Sequence, residues 1–202
     1  MKLYYSPGAC SLSPHIVLNE AGMKFEPVLT DLKAHKLADG ADFYALNSKG
    51  YVPMLELDNG ERLTEGPAIV QYIADQVPEK NLAPANGTMA RYRLQEWLNF
   101  VTSELHKGIG GLFNPAMPDA GKAVMKTRAT DKLAWVDRQL EGKQYLMGDA
   151  FSVADAYLFT VANWTRMVGI DISGMKNLAA FQARMAARPA VQAALKAEGL
   201  LK

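Results

Sequence analysis

The only cysteine in this chain, Cys10, lies within "YYSPGACSLSPH", between an apolar opening run and a segment patterned as a helix. With a strand over residues 2–5 and a helix starting at Ser11, the sulfur stands at a helix N-terminus. Unpaired N–H groups and the positive end of the dipole favour negative charge there. Such a position stabilises a thiolate, either the side chain's own or that of a ligand. Cys10-Ser11-Leu12-Ser13 reads C-x-x-S where a dithiol oxidoreductase carries C-x-x-C, so a mixed disulfide at Cys10 needs an external thiol to resolve it. The alternative reading is a small apolar residue filling a corner.

Two further stretches bear on that choice. Proline at the opening of a hairpin strand, as in Val52-Pro53, fits a sheet edge or a cis bond. A cis bond leaves the N–H and C=O of Val52 facing outward, where an extended peptide can pair with them as an added strand. Glu65-Gly66-Pro67 falls where the last strand of the hairpin meets a helix. Glu65 can take an ammonium there while the first helical N–H groups take a carboxylate, which suits an α-amino acid head group.

The elements that must position these groups alternate up to about residue 78. Residues 2–5 read as a strand and 11–22 as a helix ending in Gly22. An extended piece covers 25–32 and a weaker helical one 40–47. Two alternating segments in 52–66 are joined by Asn59-Gly60, which predicts a hairpin with a type I′ turn and φ > 0 at both residues. A helix follows over 67–77, with Pro67 in its first turn. The order is β-α-β-α-β-β-α over residues 1–78, then a Pro- and Asn-rich linker over 79–88, then an all-helical stretch over 89–202. In that last part Leu94, Leu98, Val101 and Leu105 recur at helical spacing, as do Met125, Ala129, Leu133, Val136 and Leu140. Ser152-x-x-Asp155 resembles a capping box with Phe151 placed as its staple, and Pro189 breaks the closing helical segment. Trp97, Trp135 and Trp164 are expected in the helical core, and His15 is expected to be structural.

Composition narrows the function. With 22 basic and 21 acidic residues the net charge is +1, which gives no electrostatic footprint for nucleic acid and no polybasic membrane patch. No apolar run approaches the roughly 18 residues that span a bilayer, and Pro7 interrupts the start before a secretory h-region can form. A single cysteine fits a reducing compartment, so a cytoplasmic protein is expected. The histidines show no metal-ligand spacing, so no metal is expected, and no Gly-rich phosphate loop is present.

Taken end to end, "KLYYSPGACSLSPHIVL", "GYVPMLELDNGERLTEGPAIVQYIAD", "EWLNFVTSELHKG", "FSVADAYLF" and "RPAVQAALKAEGL" resemble the glutathione S-transferases of the bacterial beta class. The resemblance implies an α+β thioredoxin-like domain followed by an all-α domain, glutathione as cosubstrate, a hydrophobic electrophile as second substrate, and a homodimer. It makes Cys10 the class-defining sulfur and Tyr5 a spectator. It has Val52, beside cis-Pro53, pair with the cysteinyl part of glutathione, and gives Glu65 and Gly66 the γ-glutamyl head group. His106 becomes the polar group near the sulfur, with Asn99, Ser103 and Glu104 before it on one helix and Glu104 acting across the dimer. Residues 99, 103 and 106 stand at i, i+4 and i+7, which predicts a polar stripe. His35 replaces the lysine that holds the glycine carboxylate in related sequences, so that contact falls to His35 or Lys36. The electrophile pocket is expected to include 108–113, a flexible Gly-rich wall, and the surroundings of Trp164. The implied chemistry is conjugation of glutathione, with thiol–disulfide exchange at Cys10. A glutathione-dependent thiol reductase or reductive dehalogenase, or a non-catalytic ligand carrier, are the other readings.

Overall fold

The computed structural model describes residues 1–201. By contacts the chain divides into two units, residues 1–82 together with the chain from Arg188 onward, and residues 83–187.

In the first unit β1 (Lys2–Tyr5) leads into α1 (Leu12–Ala21), then β2 (Glu26–Asp31) and β3 (Lys36–Leu37). The hairpin β4 (Met54–Glu56) and β5 (Arg62–Thr64) follows, then α2 (Gly66–Gln76). The five-stranded sheet has the order β3-β2-β1-β4-β5, with β1 parallel to β2 and the other pairs antiparallel. Alternation along the strands sends successive side chains to opposite faces. Tyr4 and Met54, partners across the β1–β4 ladder, pack with Phe43 and Val52 on one face. Leu3 and Leu55, fully buried, therefore serve the other. This is the thioredoxin-like arrangement expected, and the second unit is helical as expected.

Several details differ from the sequence reading. The weak helix expected over 40–47 is a single 3₁₀ turn, Phe43–Ala45, whose Tyr44 N–H is capped by Asp42 at 3.0 Å. At the hairpin only Gly60 has positive φ (85°), so the turn is not type I′. The Gly60 N–H donates to the Leu57 carbonyl at 2.9 Å and closes a turn over Asp58-Asn59, with Gly60 taking the left-handed position. The last helix, Pro189–Ala197, groups with the first unit, whereas the sequence reading assigned the whole of 89–202 to the helical domain. It packs against α1, and Arg188 beside its start pairs with Glu20 of α1 at 2.6 Å.

The second unit opens with α3 (Met89–Phe100), whose Thr88 hydroxyl accepts the Arg91 N–H at 3.2 Å. A π-helical turn, Val101–His106, continues it into α4 (Lys107–Gly110) and a 3₁₀ turn, Gly111–Phe113. Then come α5 (Asp119–Gln139), α6 (Val153–Asn163), α7 (Thr165–Val168) and α8 (Lys176–Ala186). After the break at Pro189, α9 (Pro189–Ala197) returns to the first unit. Helix α6 is buried from Val153 through Ala162. Its capping box is formed: the Asp155 carboxylate accepts the Ser152 N–H and hydroxyl and the Leu146 N–H, each at 2.8 Å. Of the three tryptophans only Trp164 is buried. Trp135 is 36% exposed, and it stacks at a tilt with Trp97 and Phe100 rather than entering the core.

Candidate active site

Between β1 and α1 the chain turns tightly, with the Ala9 N–H donating to the Ser6 carbonyl and the Leu12 N–H to Ala9, both at 3.0 Å. That turn carries Cys10 to the residue before the N-cap of α1, where the sequence reading put it. Its thiol donates to the Val52 carbonyl at 3.2 Å, so the sulfur and the backbone of Val52 are brought together. The Val52-Pro53 bond is cis. A sulfur that donates to a carbonyl is a thiol; a thiolate has nothing to give an oxygen lone pair.

Glu65 is the N-cap of α2, with φ 71° and ψ 111°, a conformation that non-glycine residues rarely adopt and that costs about 1–3 kcal/mol. Its carbonyl accepts the Ala68 and Ile69 N–H groups at 3.0 Å, which locks the helix start. Its carboxylate is exposed and makes no hydrogen bond to the first turn of the helix, where Gly66 supplies an N–H that the helix itself leaves unpaired. Lys49, which the sequence reading did not single out, reaches Glu65 Oε1 at 2.6 Å and the Thr64 hydroxyl at 3.1 Å. An ammonium already sits in the ammonium half of the socket.

His35 also has positive φ, 53°, and its ring stacks on Tyr44 at 4.5 Å between centroids. Its Nδ1 is buried without a hydrogen-bond partner, and it lies 3.0 Å from the point where a Cβ on Gly50 would project. Any carboxylate contact from His35 must therefore run through Nε2. The loop that delivers it is fixed by Asp31, whose carboxylate accepts the Lys33 N–H at 2.8 Å and the Ala34 N–H at 3.0 Å. Those two N–H groups hold the Asp31 carboxyl below the ordinary carboxylate range. Lys36 is exposed on β3. An open groove of about 700 Å³ is lined by Ser6, Pro7, Leu29, Thr30, Lys33 and Lys36, among others.

The turn before Cys10 is braced from the far end of the chain. The Gly8 N–H donates to Glu198 Oε2 at 2.9 Å, and Glu198 Oε1 lies 2.8 Å from His15 Nδ1, with both side chains buried. His15 is thus structural, as its place on α1 suggests. Nothing in the local sequence marks Glu198 as its partner. Burial and the Glu198 carboxylate push the Tyr5 phenol above the ordinary tyrosine range, so it stays protonated near neutral pH.

In the helical unit the π turn alters the expected stripe. The Lys107 N–H donates to the Thr102 carbonyl, five residues back, while the Thr102 hydroxyl takes the Leu98 carbonyl at 2.8 Å. The 3.6-residue period that would align 99, 103 and 106 therefore does not run through 101–106. Asn99 and Ser103 are exposed, and Glu104 pairs with Lys132 of α5 at 3.0 Å. His106 turns inward: its Nδ1 lies 2.6 Å from the Tyr157 hydroxyl of α6, and Trp164 stands edge-on to it at 4.9 Å. Tyr157 was not foreseen. The segment 108–113 is helical, and of its glycines Gly111 serves close packing: a Cβ there would stand 2.5 Å from the Met125 methyl, whereas one on Gly108 would meet nothing within 4 Å.

The family model of the glutathione S-transferase N-terminal domain matches residues 1–75, and that of the C-terminal domain matches residues 100–189. Among curated proteins, glutathione S-transferase GstA of Escherichia coli O157:H7 is 47% identical over 200 residues, covering 99% of this chain and 100% of that protein. Among solved structures, a ternary complex of BphK, a bacterial GST, is 59% identical with a TM-score of 0.97, covering 99% of this chain and 100% of that one. The beta-class enzyme of Sphingomonas chungbukensis is 50% identical with a TM-score of 0.96, covering 100% of both chains. A sphingomonad glutathione S-transferase solved with glutathione is 51% identical with a TM-score of 0.96, covering 99% of this chain and 100% of that one. The chain belongs to the glutathione S-transferase family, in its bacterial beta class. It is a transferase of the type that family defines. Among the described residues no helix is long and apolar enough to cross a membrane.

Proposed function

We propose that this protein conjugates glutathione to hydrophobic electrophiles and exchanges thiol and disulfide through Cys10. The observation that carries the reading is the contact between the Cys10 sulfur and the Val52 carbonyl at the N-terminus of α1. An extended thiol peptide that pairs with Val52 sets its own sulfur beside Cys10. Its cysteinyl N–H then competes with the Cys10 thiol for the Val52 carbonyl, which frees the thiol to hydrogen-bond the peptide's thiolate. Glu65 and Gly66 hold the γ-glutamyl ammonium and carboxylate, and His35 Nε2 or Lys36 takes the glycine carboxylate. His106 serves the reacting sulfur from the helical unit, with Asn99, Ser103 and Glu104 as further ligand contacts. The protein is proposed to work as a cytoplasmic homodimer.

In conjugation the glutathione thiolate attacks carbon, the leaving group departs with its electron pair, and the thiol proton passes to water. In exchange the Cys10 thiol gives up its proton to water and the thiolate attacks one sulfur of oxidised glutathione; the Cys10–glutathione disulfide forms as the old disulfide breaks, and one glutathione thiolate leaves. With C-x-x-S in place of a dithiol, a glutathione thiolate from solution resolves the adduct, which re-forms oxidised glutathione and frees Cys10. Net reduction therefore needs a mixed disulfide of glutathione with another thiol, whose thiolate leaves when Cys10 attacks the glutathione sulfur.

The test compares wild type with Cys10→Ala. Calorimetric titration with glutathione and turnover of an aryl halide read the conjugation; intact mass after exposure to oxidised glutathione reads the exchange. The expected result is glutathione binding and turnover in wild type and a single glutathionyl adduct that Cys10→Ala lacks. Glutathione binding without turnover across electrophiles and disulfides would instead identify a carrier.

A further inference from the structure

The imidazole of His106 is held by groups of different kinds. Trp164 meets it edge-on at 4.9 Å, a contact that fixes the plane of the ring without regard to its protons. The second contact is directional: Nδ1 lies 2.6 Å from the hydroxyl of Tyr157, a side chain only 2% exposed in the buried helix α6. The rings of Tyr157 and His106 stand at 81°, so the phenol approaches without stacking on the imidazole.

The hydrogen in that bond can sit on oxygen or on nitrogen. A phenol is a far stronger acid than the N–H of a neutral imidazole, and the bare imidazole nitrogen is a far better acceptor than a phenol oxygen. Both preferences put the hydrogen on Tyr157. A separation at the short end of the hydrogen-bond range agrees with the stronger pairing. A neutral imidazole whose Nδ1 accepts must carry its own proton on Nε2, and with Nδ1 given to Tyr157 any ligand contact runs through Nε2.

We infer that Tyr157 is a positioning residue that fixes neutral His106 as the Nε2–H tautomer, so that His106 meets the substrate sulfur or leaving group as a hydrogen-bond donor and not as a base. The inference rests on the placement of His106 at the reacting sulfur proposed above. The local fold is built for it. The capping box at Ser152 and Asp155 anchors the start of α6, and the π turn ends at His106. A base at this position would need the bare nitrogen at Nε2 and hence the weaker bonding arrangement with Tyr157.

The tautomer is read directly from the side-chain nitrogen-15 shifts of the full-length protein, with His106 assigned by its loss in His106→Gln. The expected pattern is a protonated Nε2 and an acceptor Nδ1 in wild type, and loss of that fixed preference in Tyr157→Phe. Turnover adds a test that a packing role would not pass. Tyr157→Phe keeps the ring and should leave glutathione affinity within about twofold while kcat falls about five- to twentyfold, the range expected for one lost hydrogen bond. An amide can donate but cannot take a proton, so His106→Gln, which carries an N–H near the Nε2 position, should keep kcat within about tenfold of wild type, the loss one hydrogen bond accounts for, and well above His106→Ala. A bare Nε2 in wild type overturns the inference, as does His106→Gln falling to the level of His106→Ala. A fully active His106→Ala overturns the donor role whatever the tautomer. If wild type binds no glutathione, the proposed function fails on that titration, while the shifts still decide the tautomer.

Discussion

The groups around Cys10 and those around His106 are held by different means. In the N-terminal unit the reactive positions are fixed by backbone. Cys10 precedes a helix start, the Val52 carbonyl is its acceptor, Gly66 offers a helix amide, and Glu65 is placed by a left-handed N-cap. In the helical unit His106 is fixed by side chains from elsewhere in the bundle, Tyr157 by a hydrogen bond and Trp164 by an edge contact. Backbone donors and acceptors survive most substitutions, so a surface made of them suits a ligand that does not change. A side-chain surface is re-cut by every substitution, which suits a partner that varies. On the proposed function the constant ligand is glutathione and the varying one is the electrophile.

That contrast breaks most visibly where the helical unit depends on one side chain. Asp155 is fully buried and accepts hydrogen bonds from Ser152 and from the Leu146 N–H. Asp155→Ala removes the helix cap and leaves buried N–H groups without partners, which together should cost about 3 kcal/mol of stability. Urea unfolding followed by far-UV circular dichroism measures it. Asp155→Asn, which keeps one acceptor oxygen, should lose about half as much. If Asp155→Ala is nearly neutral, the helical unit does not hang on this side chain and the contrast weakens.

The same division governs what the sequence could reveal. Backbone devices leave local marks: Gly22 ends α1, Pro67 lies in the first turn of α2, Ser152-x-x-Asp155 opens α6, and Pro189 begins α9. The place of Cys10 at the start of α1, the cis bond at Val52-Pro53 and the place of Glu65-Gly66 at the start of α2 are legible for the same reason. Partners chosen by packing leave no such mark. Tyr157 lies 51 residues from His106, and Glu198 lies 190 from Gly8. No periodicity links residues that meet only after the chain has folded. The π turn escaped because Leu94, Leu98, Val101 and Leu105 keep an apolar pattern that an α-helix satisfies equally well, and all four are indeed buried. The two residues of β3 are too few to show alternation.

Glu198 is the exception within the first unit, a distant side chain that braces a backbone turn. Glu198→Ala strips the acceptor from the Gly8 N–H and from His15 Nδ1. The expected loss of stability is about 2 kcal/mol, smaller than for Asp155→Ala because fewer donors are orphaned. Because Gly8 stands two residues before Cys10, KM for glutathione should rise about fivefold, the equivalent of one hydrogen bond, with a smaller change in kcat. Steady-state kinetics with glutathione varied separates the two. An unchanged KM would mean that backbone alone holds the turn.

The smallest effect is expected at Lys49, and its sign is the informative part. Lys49 and Glu65 form an ion pair at 2.6 Å, but the two side chains are 49% and 66% exposed. Exposed pairs of this kind contribute about 0.2–1 kcal/mol, so Lys49→Met should change stability by no more than that, with the difference shrinking as salt is added. Glutathione affinity should move the other way. The ammonium of its γ-glutamyl group competes with Lys49 for the Glu65 carboxylate, so removing Lys49 should tighten binding about two- to threefold at low ionic strength, in line with the modest strength of such a pair. Calorimetric titration at two salt concentrations measures both the size and its screening. Weaker binding in Lys49→Met would show instead that Lys49 turns to the ligand's carboxylate once the ammonium arrives. In that case even the backbone-built half of the contrast recruits a mobile side chain to complete its socket.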